Sequence, residues 1–141
     1  MRRPRGDGGS ATLELAILGP GLLILLSLVI AAGRIEVASS AVEQAAASGA
    51  RDASLARSLG QAQAVARQTA TASLAEQHLT CQGLSVTVAS TGFAAAPGTP
   101  AMVRVGVSCS VPLSDLGIPG LPGTKTLRAS MSSAVDTFRS R

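Results

Sequence analysis

A run of uncharged, mostly apolar residues near the start of the chain constrains the fold more than any other feature. Residues 15–32 contain no Asp, Glu, Lys or Arg, in a chain of 141 residues. A transmembrane helix needs about 20 predominantly apolar residues, so this run is long enough to cross a bilayer. If it does so, only the residues that follow are available to fold outside the membrane.

Three interpretations of this N-terminal segment compete. A cleaved secretory signal has a basic start and an apolar centre, but that centre usually spans about 7–15 residues. A plain signal anchor explains the length of the run and leaves Glu14, a carboxylate at its head, unexplained. The third interpretation is a processing site in "GGSATLE", where cleavage after Gly9 makes Ser10 the new N-terminus and Glu14 the fifth residue.

The Gly-x-x-x-x-Glu spacing from Gly9 to Glu14, ahead of an apolar helix, resembles the type IV prepilin signature. A dedicated aspartic prepilin peptidase cuts such proteins on the cytoplasmic side of the membrane, after a short, basic leader that ends in Gly. A carboxylate near the bilayer boundary is costly and usually has a partner. In pilins the amine freed by cleavage pairs with the Glu of a neighbouring subunit, and this is the role that the resemblance implies for Glu14.

The distribution of basic residues predicts the orientation in the membrane. Net charge is +4, and the only dense basic group, Arg2, Arg3 and Arg5, directly precedes the apolar run. The positive-inside rule therefore places the N-terminus in the cytoplasm and the remainder outside, in a single-span protein of the cytoplasmic membrane that contacts lipid. The other basic residues are scattered and the chain has no Trp or Tyr, so nucleic-acid binding is not expected.

The residues after the run continue a helical pattern. Pro20, within the run, predicts a kink because Pro removes one helix hydrogen bond. From Arg34 to about Gln77, small apolar residues recur at spacings of three and four, which predicts one Ala-rich helix with a tightly packing seam. The seam consists of Ile35, Ala38, Val42, Ala45, Gly49, Ala53, Ala56, Leu59, Ala62, Ala66, Ala70 and Leu74.

The pattern then changes to alternation. The stretches "LSVTV", "VRVGVSCSV" and "KTLRASM" predict three half-buried strands, and the segments between them, rich in Pro and Gly, predict loops. The expected fold class is α+β and pilin-like: a long N-terminal helix, first transmembrane and then exported, followed by a small three-stranded antiparallel sheet. The expected divisions are a leader at 1–9, a transmembrane helix at 10–33, an exported helix at 34–79 and a β domain at 80–141.

Two cysteines, Cys81 near the expected helix end and Cys109 in the second strand, are predicted to form a disulfide outside the cytoplasm. Reduced, buried cysteines and a metal site with His78 are the alternatives; the second offers only three ligands. The eight carboxylates are dispersed, and no catalytic motif surrounds the single His. We therefore expect no enzyme activity, no metal and no cofactor.

Taken together, three stretches resemble TadE-like proteins: "RGDGGSATLELAILGPGLLILL", "VEQAAASGARDAS" and "VPLSDLGIPGLPGTKTLRASMSSAV". The resemblance implies a pseudopilin or minor pilin of the tight-adherence, Flp-type pilus machinery. It makes Gly9–Ser10 the scissile bond and Glu14 the acid of recognition and assembly. The partners implied are the prepilin peptidase, other pilins or pseudopilins and the membrane platform of the same system, with incorporation into an extracellular adhesive filament as one destination.

The sequence also departs from the major Flp pilins. Leu15 replaces the Tyr that commonly follows the Glu, and the exported domain is far larger, which favours an accessory subunit. A type II secretion pseudopilin is a related alternative, but the Phe usual at its mature N-terminus is Ser10 here. A single-span envelope protein that uses a pilin-like start only as an anchor is the other alternative.

Overall fold

Two helices and three strands follow one another along the chain. The computed structural model describes residues 8–91, 93, 100–117, 120 and 122–135, with side chains from residue 12 onward. The elements are α1 (Gly8–Ser54), α2 (Leu59–Glu76), β1 (Gly83–Ser90), β2 (Ala101–Pro112) and β3 (Thr124–Val135). The predicted α+β class is confirmed. The basic group Arg2, Arg3 and Arg5 lies outside the described residues.

The exported helix predicted over residues 34–77 is divided into two, so the prediction of a single helix was wrong. Ser58 caps the start of α2, where its Oγ accepts a hydrogen bond from the Gln61 N–H at 3.2 Å. The side-chain oxygen of Gln61 in turn accepts from the N–H of Arg57 at 3.0 Å. The first of these bonds satisfies a donor that a helix start leaves open, and the second binds the residue just before the cap, so together they favour a turn at residues 55–58.

The turn folds α2 back along α1. The Thr69 hydroxyl donates to a carboxylate oxygen of Asp52 at 2.7 Å, and the Gln77 amide donates to the side-chain oxygen of Gln44 at 3.2 Å. Gln77, at the end of α2, thus contacts a residue of α1 that precedes Asp52, the contact of Thr69. The two helices are therefore antiparallel. They form a hairpin that covers one face of the sheet, with α1 over β2 and β3 and α2 over β1.

Small residues allow this close approach. Ala45, Ala62, Ala66 and Ala70 are completely buried, and the predicted seam is confirmed except for Ile35, which is half-buried, and Leu59, which is exposed. Gly49 sits where three elements meet: a Cβ added there would lie 3.3 Å from the carbonyl oxygen of Ala66 and 3.5 Å from the Val105 side chain. Seam residues with bulkier side chains would push the helices off the sheet.

The sheet is antiparallel, with β2 in the centre of the order β1-β2-β3. Alternate residues of β2 are buried under the helices, namely Ala101, Val103, Val105, Val107, Cys109 and Val111. The intervening residues lie on the outer face of the sheet. The alternation predicted for this strand is therefore confirmed.

A disulfide joins Cys81, just before β1, to Cys109 in the central strand, with a Cα–Cα distance of 5.3 Å. The predicted pairing is confirmed. The bridge lies beside the end of α2 and links the helical layer to the sheet. It closes a loop between positions separated by 28 residues, and the chain-entropy model assigns such a loop about 3–4 kcal/mol of stability.

Replacing both cysteines, as Cys81→Ala with Cys109→Ala, is expected to lower the free energy of unfolding by about 3–4 kcal/mol, because the unfolded chain regains the freedom that the loop removes. Denaturant unfolding of the full chain in detergent micelles, followed by circular dichroism, measures the change. Dithiothreitol should destabilise the wild type similarly and leave the double variant unaffected. Equal stability of the two proteins without reductant would contradict the prediction.

A pair of glycine substitutions tests the packing of the seam. Gly49→Leu is expected to lower the free energy of unfolding by about 1–3 kcal/mol, because its side chain meets Ala66 and Val105. Gly60, in the first turn of α2, has no atom within 4 Å of an added Cβ. Gly60→Leu should therefore gain up to about 0.8 kcal/mol from helix propensity. Thermal unfolding of both variants in detergent provides the comparison, and equal losses would refute the assignment of Gly49.

Candidate membrane anchor and processing site

The N-terminal half of α1 packs against nothing in the described part of the chain. Its large apolar side chains are exposed: Leu15 by 71%, Leu22 by 67% and Val29 by 61%. The first buried residue of the helix is Ala31, where contact with the domain begins. Apolar surface of this extent marks a site that contacts lipid or another protein. By length and composition this segment is apolar enough to cross a membrane, which is consistent with a single-span anchor.

The Pro, Gly and Ser residues of this segment do not break the helix. Helix α1 continues through Pro20, with open space around Gly19 and Gly21 on either side. The kink predicted at Pro20 stays a prediction. The Ser27 hydroxyl donates to the carbonyl oxygen of Leu23 at 2.8 Å, one turn earlier. A hydroxyl satisfied by its own helix can remain in hydrocarbon without a further partner.

Glu14 stands at the head of the apolar segment with an exposed side chain. It makes no hydrogen bond or ion pair with any residue that the structure describes. The backbone of Gly9 and Ser10 belongs to α1, and their side chains lie outside those described. Positions four apart on a helix are neighbours, so a free amine at Ser10 would lie one turn from Glu14. Within the described residues Glu14 has no neutralising charge, and such a terminus or another molecule could supply one.

The folded domain begins directly where the apolar segment ends. Arg34 is the first charged residue after the run, and its aliphatic stem lies against the turn that follows β2. Gly117 in that turn has φ of 82°, and an added Cβ would lie 2.9 Å from the Cδ of Arg34. Sequence reasoning missed this contact. The available signal was the Gly in "SDLGIPG", since a positive φ favours Gly.

The predicted site residues fall into two separate groups. Gly9, Ser10 and Glu14 lie at one end of the apolar helix, whereas Cys81 and Cys109 lie in the domain at the other end. From Glu14 to Ala31 the helix rises by roughly 25 Å, so the two groups cannot act together. The sulfurs of the cysteines are bonded to each other and are not available as thiolate ligands. Within the described residues, no group of three or more His, Cys, Asp or Glu could hold a metal ion.

Comparison with known proteins assigns the N-terminal segment. Residues 9–51 match the family model described as TadE-like protein, which covers α1 from the proposed cleavage position almost to its end. No curated protein and no solved structure matches the chain. The matched range contains Glu14, Pro20 and the Gly-Ala-Arg stretch at 49–51, which belong to the first two stretches of the sequence resemblance, while the third stretch, at 111–135, lies outside it. Over residues 9–51, therefore, the chain is similar to TadE-like proteins, as its motifs indicated.

Proposed function

We propose that this protein is a minor pilin or pseudopilin that a prepilin peptidase processes and that supports assembly of a tight-adherence, Flp-type pilus. The TadE-like match fits a protein associated with that pilus system. The observation that carries the finer proposal is Glu14, an exposed carboxylate at the head of a bare apolar helix, with no partner among the residues that the structure describes. A plain anchor has no use for a charge at this position.

Cleavage supplies the missing partner. Hydrolysis of the Gly9–Ser10 peptide bond leaves a carboxylate on Gly9 and an amine on Ser10. That amine is mostly protonated, and so positively charged, at neutral pH, since an α-amino group has a pKa of about 7.7–8.0. It can pair with Glu14 of the same helix or of a neighbour, and the pairing between copies would couple processing to assembly. An uncleaved chain would instead keep a backbone amide at this position.

The disulfide supports the proposed orientation. Disulfides persist in oxidising compartments and are rare in the cytoplasm, and Cys81–Cys109 belongs to the domain beyond the apolar helix. This favours an exported domain with the N-terminus in the cytoplasm, where the prepilin peptidase cuts. The basic residues ahead of the run favour the same orientation. The other partners in this proposal are further pilins or pseudopilins and the membrane platform of the system.

The first test is processing. Co-expression with a cognate prepilin peptidase is expected to yield a protein that begins at Ser10, and expression without the peptidase a protein that begins at Met1. N-terminal sequencing or intact mass spectrometry distinguishes the two. Gly9→Leu should abolish cleavage because the bulky side chain occupies the position that leaders reserve for Gly, whereas Gly8→Ala, one residue earlier, should still be cut. An intact N-terminus with active peptidase would favour a plain single-span anchor.

The second test separates processing from assembly. Glu14→Ala is expected to remain a peptidase substrate but to reduce the number of pili per cell, because the amine of Ser10 loses the acid that it would pair with. Glu76→Ala, which removes an exposed Glu from α2 in the domain, is the matched control and should leave piliation unchanged. Piliation is counted by electron microscopy in a strain that lacks the chromosomal copy. Wild-type piliation with Glu14→Ala would remove the assembly role of this residue.

A further inference from the structure

The outer face of the sheet, opposite the helices, carries basic charge without any acid. None of the three strands contains Asp or Glu. Arg104 in β2 and Arg128 in β3 are both exposed on this face, and neither makes an ion pair or hydrogen bond with a described residue. Cross-strand pairing places Arg104 opposite Ser132 and Arg128 opposite Ser108. The two arginines are therefore four residues apart along the sheet, or about 13 Å.

A hollow of about 410 Å³ lies on this face next to Arg128. Gly106 forms its floor, where an added Cβ would lie only 2.8 Å from the Thr87 hydroxyl. The hollow is ringed by hydroxyls of Ser85, Thr87, Ser108 and Ser130. A guanidinium beside several hydroxyl donors is suited to a carboxylate, which accepts hydrogen bonds only.

The complementary charge is found on α1. Glu36 and Glu43 are exposed and are seven residues apart, which places them on one side of the helix about 10 Å apart along its axis. Neither carboxylate makes an ion pair or hydrogen bond with a described residue of the chain. The chain thus carries two arginines on the sheet and two acids on the helix at similar spacings, all four without a partner among the described residues.

We infer that the outer face of the sheet of one copy binds α1 of a neighbouring copy, with Arg104 against Glu43 and Arg128 against Glu36. The turn that contacts Arg34 lies at the end of the apolar segment. Of the two acids Glu36 is nearer to this turn, and of the two arginines Arg128 is nearer to it, so both pairs have the same order along the axis of α1. The occupant of this surface is a second copy of this chain. The inference rests on the proposed function as a subunit that assembles with its neighbours.

The positions of the charges determine an axial offset between the copies. Gly49 lies against Val105, which sets a common level for helix and sheet. Counting residues from that level, Glu43 lies about 9 Å below it, on the membrane side. Arg104 lies about 3 Å above it, on the side away from the membrane. The neighbour must therefore be raised by roughly 12 Å for this pair to meet.

The second pair requires nearly the same shift. Arg128, level with Ser108, is about 10 Å below the common level, and Glu36 is about 20 Å below it. The required shift is thus roughly 10 Å, so one displacement satisfies both pairs. Because the contact joins two different surfaces, it does not close on itself between two copies. It repeats from copy to copy as an open stack.

Charge reversal in two sets tests this pairing with the full-length chain. One variant carries Arg104→Glu and Arg128→Glu, and the other carries Glu36→Arg and Glu43→Arg. Each is expressed with two different affinity tags, and co-purification from membranes in mild detergent measures association. Each variant alone should lose at least about fivefold in co-purified partner, because every contact between copies becomes repulsive. Co-expression of the two variants should restore wild-type co-purification, since each contact then joins opposite charges.

The matched control is Arg57→Glu with Lys125→Glu. It makes the same change in net charge as the reversal of Arg104 and Arg128. Both of its positions are exposed, one in the turn between the helices and one on β3 opposite the buried Val111. This control variant should co-purify as the wild type does. In addition, 0.5 M salt should weaken the association of the wild type, because salt screens exposed ion pairs.

Three results would overturn the inference: no self-association of the wild type, undiminished association of either reversed variant, or no restoration on co-expression. Restoration also shows that both variants are folded. Sequencing the N-terminus in the same samples separates the two proposals. When the cognate prepilin peptidase is co-expressed, cleavage at Ser10 without self-association refutes only the stacking, whereas an intact N-terminus refutes the processing.

Discussion

The N-terminal half of α1, which packs against nothing in the described part of the chain, is the main physical constraint on this protein. Helix α1 exposes large apolar side chains from its N-terminal region as far as Ile30, and only from Ala31 onward does the domain cover it. Water cannot accommodate that surface, so hydrocarbon or other helices must. Glu14 adds the second requirement, a positive charge at the head of the same helix. A cleaved N-terminus would meet this requirement within the helix itself, because its amine lies one turn from Glu14.

The domain that follows the apolar segment is built with few large side chains. Its helices lie close to each other and to the sheet through Ala and Gly, as at Gly49 and Ala66. The disulfide joins the end of the helical layer to the central strand. Arg34 lies against Gly117 at the point where α1 enters the domain. The domain is therefore held against the end of the apolar segment.

Much of this fold could be predicted because the signals were local. Alternation identified the buried residues of β2, and spacings of three and four identified the seam from Ala38 to Leu74. The turn between α1 and α2 was missed because Ala-rich sequence on both sides continues the helical period, while the decisive signal is the short Ser58–Gln61 cap. The charges of Glu36, Glu43, Arg104 and Arg128 looked like ordinary surface residues. Their arrangement depends on strand register and helix packing, which the linear pattern does not contain.

We propose that a peptidase converts an anchored precursor into a subunit whose new amine neutralises an acid at the lipid boundary. Intact mass spectrometry of the protein extracted from the membranes of its own host tests this most directly. The expected mass lacks the first nine residues, with Ser10 at the N-terminus. A mass that still includes Met1 to Gly9, in cells with an active prepilin peptidase, would contradict it.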